Sequence, residues 1–222
     1  MNNKPVQKLR SITLTSGSVK NLDADLEQLN IRGSVSLYPE IRLQIISTHG
    51  YSSFHSCVEA HSLQSSGSCK MKNICKINEI INAGNLKMQK GLVTKISSSG
   101  KLTIEQQLQA ECIDAVGIVR ALDIQAKYFN LKLSSESFIE YLMADEIYVD
   151  KDVLSFSFLR KRLNCKSIKG KNVHLSYTVA ESVEGDVVSI GTKCTIKKLY
   201  YKEHYSISPS AKVQQIIKRE KA

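Results

Sequence analysis

The residues best able to do chemistry are six cysteines (Cys57, Cys69, Cys75, Cys112, Cys165 and Cys194) together with five histidines and a run of carboxylates. Thiolates and imidazoles bind zinc, and structural zinc sites take their ligands in close pairs such as Cys-x-x-Cys. No such pair occurs, and the closest cysteines, Cys69 and Cys75, have five residues between them. The local set His55, Cys57 and His61 is the remaining zinc candidate, and its spacing argues against it. Cys69, Cys75 and Cys112 fall in apolar columns, where a free cysteine acts as a small hydrophobe. Grouped carboxylates cleave glycosidic bonds in pairs, which makes Asp145, Glu146, Asp150 and Asp152 a candidate carbohydrate-active site. Asp150 and Asp152 read as turn residues, and strand alternation puts most of the cluster on solvated faces. With no nucleophile–base constellation, the expectation is a chain without catalysis, metal, cofactor or small-molecule substrate.

Charge is unevenly distributed. Residues 156–171 carry six basic and no acidic side chains, and residues 193–222 carry eight basic and two acidic, within a net charge of +10. Arg160, Lys161 and Arg162 follow Phe156, Phe158 and Leu159, a mixture suited to an anionic membrane surface. Lys218 and Arg219 form the second basic candidate site. Nucleic acid is the less expected partner of these segments.

The elements that hold these residues follow from a period. Glycines recur at Gly17, Gly33, Gly50, Gly67, Gly84, Gly100 and Gly117 at a nearly constant step. Two places after each stand Val19, Val35, Ser52, Cys69, Leu86, Leu102 and Val119; four places after stand Asn21, Leu37, Phe54, Met71, Met88, Ile104 and Ala121. Eight places after Gly33 to Gly100, the column reads Ile41, Val58, Cys75, Leu92 and Leu108. Apolar residues two apart are strand periodicity, and their recurrence at a short fixed period marks a solenoid. About 17 residues suit one coil of a three-faced parallel β-helix with coils about 4.8 Å apart. Each glycine is expected at a tight corner where positive φ is tolerated.

A second column has the form apolar-x-Ala-charged-x-apolar, around Ala60, Ala110, Ala126 and Ala144, and more loosely around Ala180. It extends the coils to about residue 155. The expected organisation is a disordered basic tail (1–10), about eight coils (11–155), a basic interruption and linker (156–171), further coils (172–213) and a basic tail (214–222). Within the interruption, residues 156–163 read as a helix or loop on the solenoid's flank. No run of 18 apolar residues suggests a transmembrane helix. The N-terminal residues lack an apolar signal region, so the expected location is cytoplasmic, with room for contact at a membrane surface.

One stretch has a specific resemblance. Val183, Glu184, Gly185 and Asp186, then Ile190, Gly191, Cys194 and Ile196, then Leu199 and Tyr201, then Tyr205, Ile207, Pro209, Ala211, Lys212 and Val213 resemble the C-terminal end of long bactofilin-like proteins, the polymer-forming cytoskeletal family of Gram-positive bacteria. The body is similar too, with Gly17-Ser18-Val19 and Gly33-Ser34-Val35 turns, and Ala144 to Ile147 ahead of a Phe-Leu-Arg/Lys-rich interruption. The resemblance implies a right-handed β-helix that assembles end to end into filaments without nucleotide. The terminal coils of any such rod expose strand edges and a cut core. Leu14, Val19, Tyr205 and Ile207 are therefore the expected self-association residues of a rod of about ten coils.

Overall fold

The computed structural model describes residues 10–154 and 160–219. The chain forms thirteen strands: β1 (Ser11–Val19), β2 (Gln28–Leu37), β3 (Ile41–Thr48), β4 (Tyr51–Phe54), β5 (Val58–Ser65), β6 (Ser68–Asn82), β7 (Asn85–Ser98), β8 (Lys101–Leu133), β9 (Glu136–Lys151), β10 (Arg162–Leu175), β11 (Thr178–Ile190), β12 (Thr195–Ile207) and β13 (Lys212–Lys218). The pairings between strands are all parallel, each to the strand about one coil away. The result is a parallel β-solenoid of about 12 turns with a spacing near 17 residues.

Each coil turns three pairs of residues inward, the members of a pair being two apart as strand alternation requires. One coil contributes Leu102 and Ile104, Leu108 and Ala110, Ile113 and Ala115; of these only Ala110 is more than marginally exposed. Stacking coils repeats the choice. One inward column runs Leu29, Ile46, Leu63, Ile80, Ile96, Ile113, Phe129, Ile147, Val173 and Val188, all buried. Burial of a Leu or Ile side chain is worth roughly 1.5–3 kcal/mol, so a column of this length is a large share of what holds the rod together.

The glycine ladder is present, and its cause differs from the expected one. Only Gly17 and Gly117 have positive φ, at 107° and 156°. What the ladder requires is close approach. A Cβ on Gly50 would lie 2.1 Å from the Gly33 carbonyl oxygen, one on Gly67 2.1 Å from that of Gly50, and one on Gly84 2.0 Å from that of Gly67. Gly100 and Gly117 repeat the contact at 2.1 and 2.2 Å. Successive corners nest, each carbonyl occupying the place of a missing side chain. The first rung is Thr15, whose carbonyl would meet a Cβ on Gly33. Gly17 is paired with Val35 and lies outside the ladder.

Coil length and two further positions correct the sequence reading. Coil length is not constant: Ser167 stacks on Ser182, whereas Arg120 stacks on Phe138 across a longer coil. A fixed offset from the glycine therefore slips at bulges. At the bulge between Met71 and Ile74 the register shifts, and Gly91, not Leu92, stacks on Cys75. The alanine column continues from Ala144 to Gly170, and Gly170 is followed by Gly185. Ala180 lies in another column, stacked between Cys165 and Ile196.

Residues 164–171 are strand rather than linker. Their lysines face outward while Leu163, Cys165 and Ile168 are buried, and β10 pairs with both β9 and β11. The real interruption is shorter. Partners across β9 and β10, such as Glu136 and Arg162, are separated in sequence by clearly more than one coil. Strand β9 ends at Lys151 and β10 opens at Arg162. Residues 156–159, read as part of a helix or loop, lie outside the described residues. So do 1–9 of the expected N-terminal tail. Of the expected C-terminal tail, Gln214 to Lys218 belong to β13 and extend the ladder on β12.

The nested corners make a direct expectation. Gly67→Ala should cost about 3 kcal/mol or more, because its Cβ would strike backbone. Gly17→Ala, with nothing within 4 Å, should cost about 1–2 kcal/mol from its positive φ alone. Urea denaturation of both variants measures the difference, and equal losses would remove close approach as the cause.

Candidate interaction surfaces

The chemistry-bearing residues are distributed by the coil geometry. Cys69, Cys75, Cys165 and Cys194 are buried, and burial pushes their thiols up to about 11, 12, 12 and 11 respectively. Such thiols carry little thiolate at neutral pH and are inert. Cys112 is not the core residue expected: it sits outward beside Lys95 and is half-buried, like Cys57. His55 stacks on Tyr38 with centroids 4.2 Å apart, and His61 contacts Asn78 at 3.0 Å. Two Lys72 contacts near 3.3–3.5 Å also fall on His55. Among the described residues, no three His, Cys, Asp or Glu side chains are grouped to hold a metal ion.

The acidic cluster is divided among structural partners. Asp145 pairs with Lys171 at 2.9 Å, and Glu146 accepts a hydrogen bond from Asn172 at 2.6 Å. Asp150 and Asp152 accept from the backbone N–H groups of Lys151 and Leu154, at 2.7 and 3.1 Å; Asp152 lies past the strand end as expected, whereas Asp150, expected in a turn, belongs to β9 and stacks on Lys132.

The basic segments are largely built into ladders one coil apart. One column reads Glu140, Lys166, Glu181 and Lys197, with ion pairs of 2.8 Å at its first step and 3.2 Å at its last. Hydrogen bonding to Glu140 holds the Lys166 ammonium above its ordinary value. Lys169 pairs with Glu184 at 3.5 Å. Glu184 also takes the Arg219 guanidinium, which lies over the Tyr200 ring at 4.8 Å. Arg219 is therefore tied to the rod, while Lys218 ends β13 in an exposed position. Lys161 donates to the Asp152 carbonyl at 2.7 Å, Arg162 opens β10 beside Glu136, and Arg160 is exposed. Close by, Val153 and Leu154 are 78% and 82% exposed.

The two ends complete the inventory. Leu14 and Val19 lie on β1, paired with Ile31 and Leu37, and Tyr205 and Ile207 lie on β12, paired with Val188 and Ile190. All four are only partly buried, in columns that are fully buried inside the rod. The sequence reading missed Ile12, Leu22, Val213, Ile216 and Ile217, which share these ends. Continuing the inward columns outward would have found them, since Ile12 stacks on Leu29 and Ile216 on Leu199.

These features define a class, a parallel β-solenoid whose distinctive surfaces are its ends and its charged columns. No family model, curated protein or solved structure matches the chain.

The buried thiols set a pH dependence. Unfolded thiols ionise near 9.0, whereas the folded ones hold their protons to about 11–12. The folded chain thus binds more protons between these values, and stability from this source is complete below pH 9 and falls as pH rises. The thermal midpoint should drop above pH 9. At neutral pH a thiol reagent should label Cys57 and Cys112 in the folded chain and the other four only on unfolding.

Proposed function

We propose that the chain is a structural protein whose rods self-associate end to end into nucleotide-independent filaments or a scaffold. The observation that supports this most is the state of the ends. Among the described residues, β1 pairs only with β2 and β13 only with β12. Each therefore offers one row of backbone donors and acceptors to a further strand. The half-buried Leu14 and Val19 at one end, and Tyr205 and Ile207 at the other, would complete their columns on docking. About 12 turns at about 4.8 Å make a rod roughly 58 Å long. An end-to-end contact along a straight rod does not close and so builds an open filament. The bactofilin-like C-terminal motif supports the same reading, because Tyr205, Ile207 and Val213 of that motif lie at this open end.

A second reading is contact with an anionic membrane surface. It is favoured by exposed Val153 and Leu154 and by exposed Arg160, apolar and basic groups close in sequence between β9 and β10. The two readings are compatible, since β9 and β10 are inner strands of the sheet order and not its ends.

Ile207→Asp should lower self-association at least tenfold in sedimentation while leaving the strand circular dichroism unchanged. A parent that sediments as a monomer across a wide concentration range would remove the filament reading. For the second reading, Arg160→Glu, Lys161→Glu and Arg162→Glu together should abolish binding to phosphatidylserine vesicles. Undiminished binding by that variant would move the contact elsewhere.

A further inference from the structure

One outward column in the second half of the rod alternates in sign without a break: Glu111, Lys127, Asp145, Lys171, Asp186 and Lys202. Ion pairs of 2.8, 2.9 and 3.1 Å join them two by two, Glu111 to Lys127, Asp145 to Lys171, and Asp186 to Lys202. Asp145 also acts on Lys127, and Asp186 on Lys171, so the series is electrostatically continuous; the nearest carboxylate, through a hydrogen bond, holds both ammonium groups above their ordinary value. Their side chains remain 35–70% exposed. Beside the column runs a groove of about 460 Å³ floored by Ala126, Ala144, Gly170 and Gly185, with Met143 on its rim and 45% exposed.

An even, alternating series has a property that a uniform patch lacks. Reversed end for end, it becomes its own opposite. We propose that this face docks a second copy of the chain side by side and antiparallel, about a two-fold axis passing between Asp145 and Lys171. That axis sets Asp145 against the partner's Lys171, Lys127 against the partner's Asp186, and Glu111 against the partner's Lys202. Every rung meets the opposite sign. A parallel copy at the same height would put like charge on like charge. The same axis exchanges the coil of Met143 with the next coil, so each exposed methionine comes over the partner's Lys169, on the rim of the small-residue groove. Such an isologous contact closes as a pair, and it is independent of end-to-end docking.

Size sets the strength. Six rungs at about 4.8 Å give a strip about 24 Å long. With a width near 20 Å it would bury about 500 Å² per partner, at the low end for specific interfaces. The pair should accordingly be weak and salt-sensitive, since exposed charges are screened over about 3 Å at 1 M salt.

Small-angle scattering separates this contact from end docking, because side-by-side pairing changes mass per unit length while end docking changes length. At low ionic strength the parent should show about twice the mass per unit length of a single rod, falling to one rod at high salt. The variant Glu111→Gln, Asp145→Asn, Asp186→Asn should show a single rod at low salt, with its length distribution unchanged. Met143→Lys, which leaves the ladder intact and sets cation against the partner's Lys169, should do the same. Single-rod mass per unit length in the parent at low salt, or doubled mass retained by both variants, would overturn the proposal, whatever the lengths show about the ends.

Discussion

The rod depends on one close contact, repeated. At each corner from Gly33 to Gly117 the backbone of one coil comes so near the next that the preceding carbonyl fills the space a Cβ would need. Only glycine permits this, and the nesting locks each coil to its neighbour at a fixed rise. Once the corners are set, parallel register follows, and like residues must stack on like. Inward columns become continuous apolar rows, and outward columns become lines of side chains one coil apart.

Beyond Gly117 the corner no longer carries a glycine, and Ser134 stands one coil on. Outward ladders of alternating cation and anion run along both halves, as Arg42, Glu59 and Lys76 among the glycine corners and as the columns that start at Glu111 and Glu140. Surface ion pairs of this kind contribute little singly. Their importance here is directional, because alternation penalises any slip of register by one coil. It also explains how a chain of net charge +10 keeps three lysines on β10 without a basic face. Lys166, Lys169 and Lys171 each have a carboxylate from an adjacent coil.

Much of this was legible in the sequence because a short repeat copies its own evidence. The glycine steps and the apolar pairs at two-residue spacing established the coil, and Leu102 and Ile104 are buried as that spacing requires. The differences share a physical origin. A constant offset defines the columns in the sequence, whereas corners absorb or release a residue. That displaces Leu92 and Ala180 from their expected places and gives Gly17 the rung that belongs to Thr15. Lysines hide β10, because outward charge reads as absence of strand while Cys165 and Ile168 keep the inward pattern. Cys112 shows the converse error, an apolar type on an outward position. The charge ladders are invisible in a linear string because their members lie a whole coil or more apart in sequence and meet only when coils are stacked.

The most direct test of the account is negative-stain electron microscopy of the purified protein over a range of concentrations without nucleotide. Rods joined end to end should appear, with an axial repeat near 58 Å set by about 12 turns at about 4.8 Å each. Isolated rods of that length at every concentration would contradict it.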